Sequence, residues 1–520
     1  MAFRWSLLVA PAAFVAAIQI SSAAQLHWPL PEDSTEVNGV QQTLTTHFAV
    51  KVAPDKPEPP TPVHPHAAKG LKRIYRGSPV TVTNYHNDNY PTGWNQNESD
   101  LTPTTVHSAS FGLLTSLDAD GNVMAQPLFV PNFTMPDSSV HNVLIVATGH
   151  NTIYAYDAQD YSLLWKRSLG KYQPTGDVGC GDIQGGYGIS STPVIVRTGN
   201  NAATIYVVAA TEPKHLSFHT KIHAIDLGTG NDIVRAREIN PHAKLKTGEI
   251  MHFDPQNQWS RAALAYNNGS VYVSIGSHCD FNAGNISGWV LRYDASTLAL
   301  TDHFNTIEAK ADYELSSVWM SGYAPAINPD GRYYAITGNG NYSLVKGEQG
   351  YGESVIGLNS DLNWHHVDTF TPSNWQQLNN GDSDFGSGGA MLIPTVNGQS
   401  GPPLILAEGK AGTIYVIDSS NMGGLQGGGS SQPIQTIGGG GCWCGPAYYV
   451  GPSGGVVFYQ SGGGTLKAYS VNPNSATPLT ATVSGTSGAG GSGSFPVVSS
   501  NGSATGVVWV VKRGSPTETL

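Results

Sequence analysis

The stretch Thr152-Ile-Tyr-Ala-Tyr-Asp157, with Leu163-Leu-Trp165 shortly after it, decides the fold because altered copies of it return along the chain. The copies are Lys221-Ile-His-Ala-Ile-Asp226, Trp289-Val-Leu-Arg-Tyr-Asp294, Ser354-Val-Ile-Gly-Leu-Asn359, Thr413-Ile-Tyr-Val-Ile-Asp418 and Thr465-Leu-Lys-Ala-Tyr-Ser470. They stand about 50 to 70 residues apart. A strand-rich unit that recurs in this way is typical of a β-propeller, in which each blade buries its faces against its neighbours.

The repeat predicts an all-β propeller of four-stranded blades, with six complete blades and part of a seventh. The seventh begins at Ser494–Val498 and Val507–Val511, and the sequence reaches Leu520 about half-way through that blade. A half-finished edge strand would leave backbone groups unpaired. We therefore expect that the chain is truncated relative to a complete ring, or that its N-terminal segment completes the last blade, with Phe111–Leu114 as the candidate strand.

The N-terminal residues predict export and a linker. Residues 1–24 resemble a signal peptide, because Arg4 precedes an apolar run from Leu7 to Ile20 and small residues precede Gln25. A membrane anchor is the alternative, but the run is short for a bilayer span. Residues 25–78 are rich in proline and predict a disordered linker. The propeller would then occupy residues 79–520.

Composition agrees with a secreted protein that has no nucleic-acid partner. Charged residues make up 12% of the chain, and the formal net charge is −11, whereas phosphate binding needs clustered Lys and Arg. Six Asn-x-Ser/Thr sequons predict glycosylation of an extracellular protein that is free of the membrane after signal cleavage. The sequons lie at Asn97, Asn132, Asn268, Asn285, Asn341 and Asn501.

The four cysteines Cys180, Cys279, Cys442 and Cys444 predict disulfides in an oxidising compartment. The sequence does not fix their pairing. Cys180–Cys279 is the preferred pair, because both residues fall in loops on one face of neighbouring blades. Cys442–Cys444 would then close a small strained ring, for which a redox role is one interpretation. Cross-pairing of the four cysteines and free thiols stay open as alternatives.

The chain resembles the quinoprotein alcohol dehydrogenase-like propellers, whose blades carry the pyrroloquinoline quinone (PQQ) repeat. The repeated Tyr-x-Tyr/Ile-Asp strand and Leu163-Leu-Trp165 carry this resemblance. It is similar in particular to secreted PQQ-repeat proteins of largely unassigned function. That likeness rests on Tyr85-His-Asn-Asp88, Asp177-Val-Gly-Cys-Gly-Asp182, Gly276-Ser-His-Cys-Asp280, Thr337-Gly-Asn-Gly340, Phe370-Thr-Pro-Ser373, Gly386-Ser-Gly-Gly389 and Asn421-Met-Gly423.

The resemblance implies eight blades, continuing beyond the point that matches Leu520, and a cofactor site on the propeller axis. Family members hold PQQ between a tryptophan and two adjacent, disulfide-linked cysteines, with a calcium ion and an aspartate base beside it. This chain has no adjacent cysteine pair, since Trp443 separates Cys442 from Cys444, and it has no c-type haem motif. PQQ and calcium are therefore cofactors that the family fold suggests, but the fold alone does not imply that this chain binds them.

Loops on one face of the predicted propeller hold the candidate site residues. His278, Asp280 and Asp182 are the candidates for acid–base catalysis or metal binding. Trp319 and Trp443 could stack on a flat cofactor or sugar, and Lys410 and Asn339 could bind the same ligand. Asp382 and Asp384 offer oxygen ligands for calcium. Structural roles compete in each case: a disulfide loop for His278 and Asp280, blade packing for the tryptophans, an ion pair for Lys410, and a solvated acidic loop for the aspartates.

Two functions follow from this pattern. The first is a quinoprotein-type oxidoreductase that acts on an extracellular alcohol or sugar. The second is a propeller without a cofactor that binds a glycan or a protein through the same face. The sequence alone leaves open whether the protein is an enzyme.

Overall fold

The computed structural model describes residues 4–7, 80–108, 111–112, 114–280, 285–309, 315–344, 350–362, 367–396, 398–425, 432–488 and 492–511. The predicted linker and all but residues 4–7 of the predicted signal peptide lie outside this part of the chain. Among the described residues, no helix is long and apolar enough to cross a bilayer.

The described chain is an all-β propeller of seven mainly antiparallel sheets, which we number in chain order. The first three contain Leu128–Thr134, Val140–Ala147, Thr152–Asp157 and Leu163–Ser168; then Val194–Arg197, Ala203–Lys214, Ser217–Asp226 and Asp232–Glu238; then Gln258–Trp259, Ala265–Asn267, Ser270–Ser277, Trp289–Asp294 and Leu300–Asn305. Each sequence repeat forms the third of the four main strands in its sheet.

The remaining sheets continue the pattern. The fourth contains Ala326–Ile327, Tyr333–Ile336, Val355–Leu358, Asp368–Thr371 and Gly424–Leu425; the fifth Ala390–Leu392, Leu404–Ala407, Thr413–Asp418 and Gln435–Gly438; the sixth Ala447–Gly451, Gly454–Tyr459, Thr465–Val471 and Leu479–Gly488; and the seventh Trp94–Asn95, Val497–Asn501 and Ala504–Trp509. An eighth sheet is not among the described residues, so the eight blades and the truncation stay predictions.

Short pairs and helices decorate the sheets. Three two-stranded pairs join Arg4–Leu7 to Thr115–Asp118, His242–Lys244 to Ile250–His252, and Tyr342–Ser343 to Gly350–Tyr351. The described α-helices are Pro103–Val106, Thr175–Val178 and Trp375–Asn380, and the 3₁₀ turns are Tyr85–Asn87, Met320–Gly322 and Phe385–Ser387.

Apolar side chains join each sheet to the next. One buried cluster unites the first and second sheets, for example Leu144 with Ile205, and another unites the second and third, for example Val208 with Val273. A large cluster spans the third, fourth and fifth sheets, and further clusters join the fifth to the sixth and the sixth to the seventh. Burial between faces is the arrangement that the repeat predicts for propeller blades.

The N-terminal segment does extend the seventh sheet, but through a different strand from the one expected. Trp94–Asn95 pairs in parallel with Val497–Asn501, on the side away from Ala504–Trp509. Phe111 packs its ring 5.9 Å from that of Trp509 and contributes side-chain contact rather than a strand. The expectation for Phe111–Leu114 was therefore wrong. The N-terminal strand is added next to Val497–Asn501, whereas Phe111 lies beside Trp509 in the strand at the opposite edge of the sheet.

Residues 80–97, which we call the axial segment, contact the inner strands of most sheets in turn. Val82 pairs with Phe129 of the first sheet, and the Thr83 carbonyl accepts a hydrogen bond from Ile195 N of the second at 2.7 Å. Asn89 donates through Nδ2 to the Tyr266 carbonyl of the third sheet at 3.0 Å. Further carbonyls accept from the fourth, sixth and seventh sheets, in the pairs Asn89 with Ile327, Thr92 with Tyr448, and Gly93 with Val498. The axial segment is thus part of the propeller core.

Five of the six sequon asparagines are exposed, and Asn341 is partly buried. Asn132 lies within the strand Leu128–Thr134, Asn268 follows Ala265–Asn267, and Asn501 ends Val497–Asn501 and forms a bridge with Asn97. A glycan needs an exposed side chain, and five of these asparagines provide one. Glycosylation itself stays a prediction.

Candidate functional site

The loops that connect the second strand to the third, and each sheet to the next, meet on one face of the propeller, which we call the upper face. Asn339 follows the second main strand of the fourth sheet and bonds both to Asp280, after the third sheet, and to Asp382, before the fifth. Cys180, between the first two sheets, is bonded to Cys279. These links between distant loops place the predicted loops on a single face.

Lys410 is the centre of a charged cluster on this face. Its Nζ donates to the backbone oxygen of Asp382 at 2.9 Å and to Asp382 Oδ1 at 3.0 Å, and it forms an ion pair with Asp384 Oδ2. The Lys410 and Asp384 side chains are 15% and 7% exposed, whereas that of Asp382 is 71% exposed. Lys410 therefore neutralises one buried carboxylate and holds another at the surface.

Asn339 ties the acidic loops together. Its Nδ2 donates to Asp280 Oδ2 at 3.0 Å and to Asp382 Oδ1 at 2.9 Å, and its backbone N–H donates to Asp384 Oδ1 at 3.0 Å. The remaining side-chain atom, Oδ1, is buried and has no hydrogen-bond partner in the part of the chain that the structure describes. A Cβ on the preceding residue, Gly338, would overlap Asp384 Oδ1, so only glycine lets these loops approach so closely.

Two tryptophans border Lys410. Its Nζ lies 5.9 Å from the ring centroid of Trp319 and 5.7 Å from that of Trp443. These distances allow cation–π attraction to both rings. Both tryptophans are partly exposed, so each presents part of its surface to a ligand. Trp319, Trp443, Lys410, Asn339, Asp382 and Asp384 are thus brought together as predicted candidates for one site.

Asp280 belongs to the edge of the same cluster. Ser277 Oγ donates to Asp280 Oδ1 at 2.9 Å, and Ser277 in turn shares a 2.8 Å hydrogen bond with Ser317 Oγ. Asp280 and the preceding Cys279 both have positive φ, at 50° and 47°. The disulfide loop therefore turns the Asp280 carboxylate toward Asn339 and away from its sequence neighbour His278.

His278 lies outside this cluster. Its ring is fully buried and packs 4.3 Å from Tyr187 and 4.7 Å from Trp259, measured between ring centroids. Neither ring nitrogen has a hydrogen-bond partner among the described residues, and burial lowers the pKa of His278 to about 3. The enclosed neutral imidazole has no contact through which it could exchange a proton with Asp280.

Asp182 is also separate from the Lys410 cluster. Its carboxylate accepts a hydrogen bond from the hydroxyl of Tyr187, in the aromatic group that encloses His278. Burial raises the pKa of Asp182, and this hydrogen bond opposes the shift. The structure therefore divides the predicted catalytic set, with Asp280 beside Asn339 and both Asp182 and His278 beside Tyr187.

The disulfides are Cys180–Cys279 and Cys442–Cys444. The first joins residues 99 apart, for which loop-closure entropy predicts a stabilisation of about 4.7 kcal/mol, whereas the second closes a loop worth about 1.6 kcal/mol on the same relation. Cys442 and Cys444, which close the predicted small ring, are both fully buried.

Three groups of described residues place potential metal ligands close together: Cys180, Asp182 and Cys279; Glu408, Cys442 and Cys444; and Asp177, Glu212 and His215. The cysteines of the first two groups are disulfide-bonded and present no thiolate. In the third, Glu212 is paired with Lys171 at 3.3 Å. The predicted metal ligands Asp382 and Asp384 instead surround an ammonium group.

Glu353 is a member of the site that the sequence did not reveal. Its Oε2 accepts a hydrogen bond from Phe385 N at 2.6 Å, and its Oε1 is buried with no hydrogen-bond partner in the described ranges. Burial, reinforced by the nearby Asp384, raises the pKa of Glu353 to about 9. The sequence signal was a carboxylate directly before the repeat copy Ser354–Asn359, where the other copies are preceded by uncharged residues.

The pH dependence of stability should report the proton on Glu353. The folded-state pKa lies above the usual 4.5, so its contribution is complete below that value and is lost as pH rises through about 9. We expect the unfolding free energy of Glu353→Gln to fall by about 2 kcal/mol less than that of the wild type between pH 7 and 9. Urea denaturation at each pH measures this, with Glu238→Gln as an exposed control. Parallel curves for all three proteins would contradict a protonated Glu353.

Comparisons with solved structures retrieve proteins of the type that the sequence resembles. A quinohemoprotein alcohol dehydrogenase from Pseudomonas putida HK5 is 16% identical, with a TM-score of 0.46 over 82% of this chain and 66% of that one. One from Comamonas testosteroni is 15% identical, with a TM-score of 0.48 over 83% of this chain and 70% of that one. A europium-containing methanol dehydrogenase is 13% identical, with a TM-score of 0.49 over 84% and 86%.

The likeness is one of fold. BamB from Moraxella catarrhalis also matches, at 10% identity and a TM-score of 0.40 over 78% of this chain and 89% of that one. No family model matches the chain, and neither does any curated protein sequence. Roles for individual residues therefore come from this chain's own geometry.

Proposed function

We propose that the chain is a quinoprotein-type oxidoreductase that acts on an extracellular alcohol or sugar. The observation that supports this most strongly is the position of Lys410. Its Nζ lies 5.9 Å from the ring centroid of Trp319 and 5.7 Å from that of Trp443, and it contacts the carboxylates of Asp382 and Asp384. Flat aromatic surfaces, a fixed cation and an exposed carboxylate are the groups needed to bind a planar anionic cofactor and to take a proton from a hydroxyl.

The acidic loops fit a hard divalent cation. Calcium prefers carboxylate and amide oxygens, and Asn339 Oδ1 and Glu353 Oε1 are both buried beside Asp384 without partners. Asp280 lies on the other side of Asn339. These four residues would hold calcium. Orphaned buried oxygens cost free energy, so a bound cation would satisfy groups that the described protein leaves unsatisfied.

The rings of Trp319 and Trp443 and the ammonium group of Lys410 suit PQQ, which is planar and carries carboxylates. When bound, PQQ would accept the two electrons that leave the alcohol carbon, and calcium would polarise the quinone. The remaining chemistry falls to the chain itself. Its residues must orient the substrate hydroxyl, exclude water and accept the hydroxyl proton.

Asp382 is our candidate for the proton acceptor. Partial burial raises the pKa of its carboxyl, but Lys410 opposes this and keeps the pKa below the usual value, so the group is ionised at neutral pH. Its side chain is largely exposed and therefore accessible to a substrate. Asn339 and Lys410 both bond to Asp382 Oδ1 and orient the carboxylate.

Reconstitution tests the proposal. Purified protein supplied with PQQ and calcium should retain quinone absorbance after desalting and reduce an artificial dye when alcohols or aldoses are added. Asp382→Asn should lower the dye-reduction rate by roughly 10² or more while retaining quinone, since it removes the proton acceptor. Asp330→Asn, in a turn of the fourth sheet, is the control. Failure to retain quinone, or unchanged rates in Asp382→Asn, would refute the proposed function.

A propeller that binds a glycan without a cofactor is the second candidate. The enclosed His278 favours it, because one of the three predicted acid–base residues is unavailable. Tryptophan faces beside charged groups also suit a sugar ring. Calorimetric titration with oligosaccharides in the absence of quinone separates the two functions. Binding that Trp319→Ala abolishes, in protein that retains no PQQ, would favour the second.

A further inference from the structure

The glycine run before Cys442 packs on a buried carboxylate. Residues 438–441 are all glycine. A Cβ on Gly439 would collide with Glu408 Oε1, and a Cβ on Gly441 would lie 2.7 Å from the Lys410 carbonyl oxygen. The absence of side chains therefore lets this loop lie directly against Glu408 and Lys410, and it brings the next residues, Cys442 and Cys444, to the same place.

Glu408 and the Cys442–Cys444 disulfide form a closed group. A carboxylate oxygen of Glu408 and the two sulfur atoms all lie within 4.8 Å of one another. Glu408 is 1% exposed, and both cysteines are fully buried. Ser461 Oγ lies 2.8 Å from Glu408 Oε1 and 3.1 Å from Oε2. One hydroxyl hydrogen can serve only one of these oxygens, which leaves the other able to carry a proton next to the sulfurs.

Stabilisation does not account for this disulfide well. Its cysteines are two residues apart, so it removes little freedom from the unfolded chain, whereas Cys180–Cys279 joins residues 99 apart. We propose that Cys442–Cys444 is a redox-active disulfide that exchanges with a dithiol, and that Glu408 is the proton donor for its reduction. This inference stands independently of the proposed oxidoreductase function.

The disulfide is reduced in two successive displacements. A thiolate of the dithiol attacks one sulfur of the pair and forms a mixed disulfide, while the electron pair of the broken S–S bond goes to the other sulfur. The carboxyl proton of Glu408 passes to that sulfur and gives a thiol. The second thiol of the reagent then displaces the first cysteine, so the dithiol becomes a disulfide, the protein gains two thiols, and released protons restore Glu408.

Reduction would alter the upper face. Trp443 lies between the two cysteines, and its ring centroid is 5.7 Å from Lys410 Nζ. The disulfide fixes the short loop that carries this ring. Opening it frees Trp443 to leave Lys410, so the redox state of the pair would control one wall of the candidate site.

The second disulfide supplies an internal comparison. An Asp182 oxygen likewise lies within 4.8 Å of the sulfurs of Cys180 and Cys279, but Asp182 accepts a hydrogen bond from the Tyr187 hydroxyl. That phenolic donor satisfies the Asp182 carboxylate in its ionised form. Asp182→Asn is therefore the matched control for Glu408→Gln, because each variant removes one carboxylate beside one disulfide.

Differential alkylation and mass spectrometry can follow reduction of each pair by dithiothreitol in the folded protein. The reduction rates are divided by the concentration of the dithiothreitol thiolate at each pH. At pH 7 we expect Glu408→Gln to slow reduction of Cys442–Cys444 at least tenfold and to leave Cys180–Cys279 unchanged within twofold. Burial raises the pKa of Glu408 to about 8, so the advantage of the wild type should shrink above that pH. Asp182→Asn should leave the Cys442–Cys444 rate unchanged.

Ser461→Ala keeps the Glu408 carboxyl group and removes a hydrogen bond that lowers its pKa. Reduction of Cys442–Cys444 in Ser461→Ala should therefore stay faster than in Glu408→Gln up to a higher pH than it does in the wild type. This variant tests the proposal if Glu408→Gln does not fold. Equal rates in the wild type and Glu408→Gln, or a pH profile that Ser461→Ala leaves unmoved, would overturn the role of Glu408. Reduction of Cys442–Cys444 no faster than global unfolding, measured by proteolysis, would overturn redox activity altogether.

Discussion

Lys410→Met should destabilise the protein by about 3–5 kcal/mol, the cost of leaving one member of a buried ion pair without its partner. Asp384 has a side chain only 7% exposed, and it pairs with Lys410. Methionine fills a similar volume but offers no charge. Urea denaturation at pH 7 measures the change.

A double variant separates charge from packing in this prediction. Asp384→Asn keeps an oxygen that can accept from Asn339 N, and it removes the buried charge. We expect the Lys410→Met/Asp384→Asn protein to recover about 2 kcal/mol relative to Lys410→Met alone. Lys221→Met is the control. The Lys221 side chain is 41% exposed and lies 4.0 Å from Glu238, so the variant should change stability by about 0.5 kcal/mol or less. A similar small loss in Lys410→Met would contradict the pairing described for Asp384.

Tyr323→Ala should cost about 3–5 kcal/mol, because the ring of Tyr323 fills the centre of the propeller. Its ring centroid lies 4.9 Å from that of His86 and 6.0 Å from that of Phe495. A Cβ on Gly389 or on Gly445 would collide with this ring, so the inner strands of the fifth and sixth sheets approach it directly. No smaller side chain can fill that space without leaving a cavity.

The hydroxyl of Tyr323 joins the axial segment to the sixth sheet. It lies 2.7 Å from the Pro91 carbonyl oxygen and 2.8 Å from that of Pro446. Tyr323→Phe should therefore cost about 1–2 kcal/mol. Tyr293→Phe is the control, since the Tyr293 hydroxyl donates to no residue that the structure describes, and its loss should be smaller.

Hydrogen exchange locates the effect of Tyr323→Phe. The amides of Ile327, Tyr448 and Val498 donate to the axial segment and should exchange faster in this variant. Unchanged protection at all three amides would show that the axial segment is held independently of Tyr323.

The propeller was predictable because its signal is local and repeated. The strand Thr152–Asp157 and its copies have apolar residues where each sheet is buried on both faces, so the repeat alone indicated sheets and their order. The path of the axial segment was not predictable. Thr83, Asn89 and Gly93 contact the sheets through backbone or amide groups, which leave no pattern in the side chains.

The site was predictable only in part, for the same reason. Polar residues at strand ends indicated the upper face, and Asn339, Lys410, Asp382 and Asp384 do meet there. The separation of His278 from Asp280 could not be predicted, because the partners of His278, Tyr187 and Trp259, come from other loops. Glu353 escaped notice since its proximity to Asp384 depends on how two loops pack.

A crystal structure of the protein grown with PQQ and calcium chloride tests the central claim most directly. That claim is that the Lys410 cluster on the upper face is a cofactor and substrate site. We predict quinone beside Trp319, Trp443 and Lys410, and calcium at the oxygens of the four residues proposed to hold it, which are Asn339, Glu353, Asp384 and Asp280. Quinone bound elsewhere would contradict this claim. So would a structure without quinone in which Lys410 still pairs with both Asp382 and Asp384.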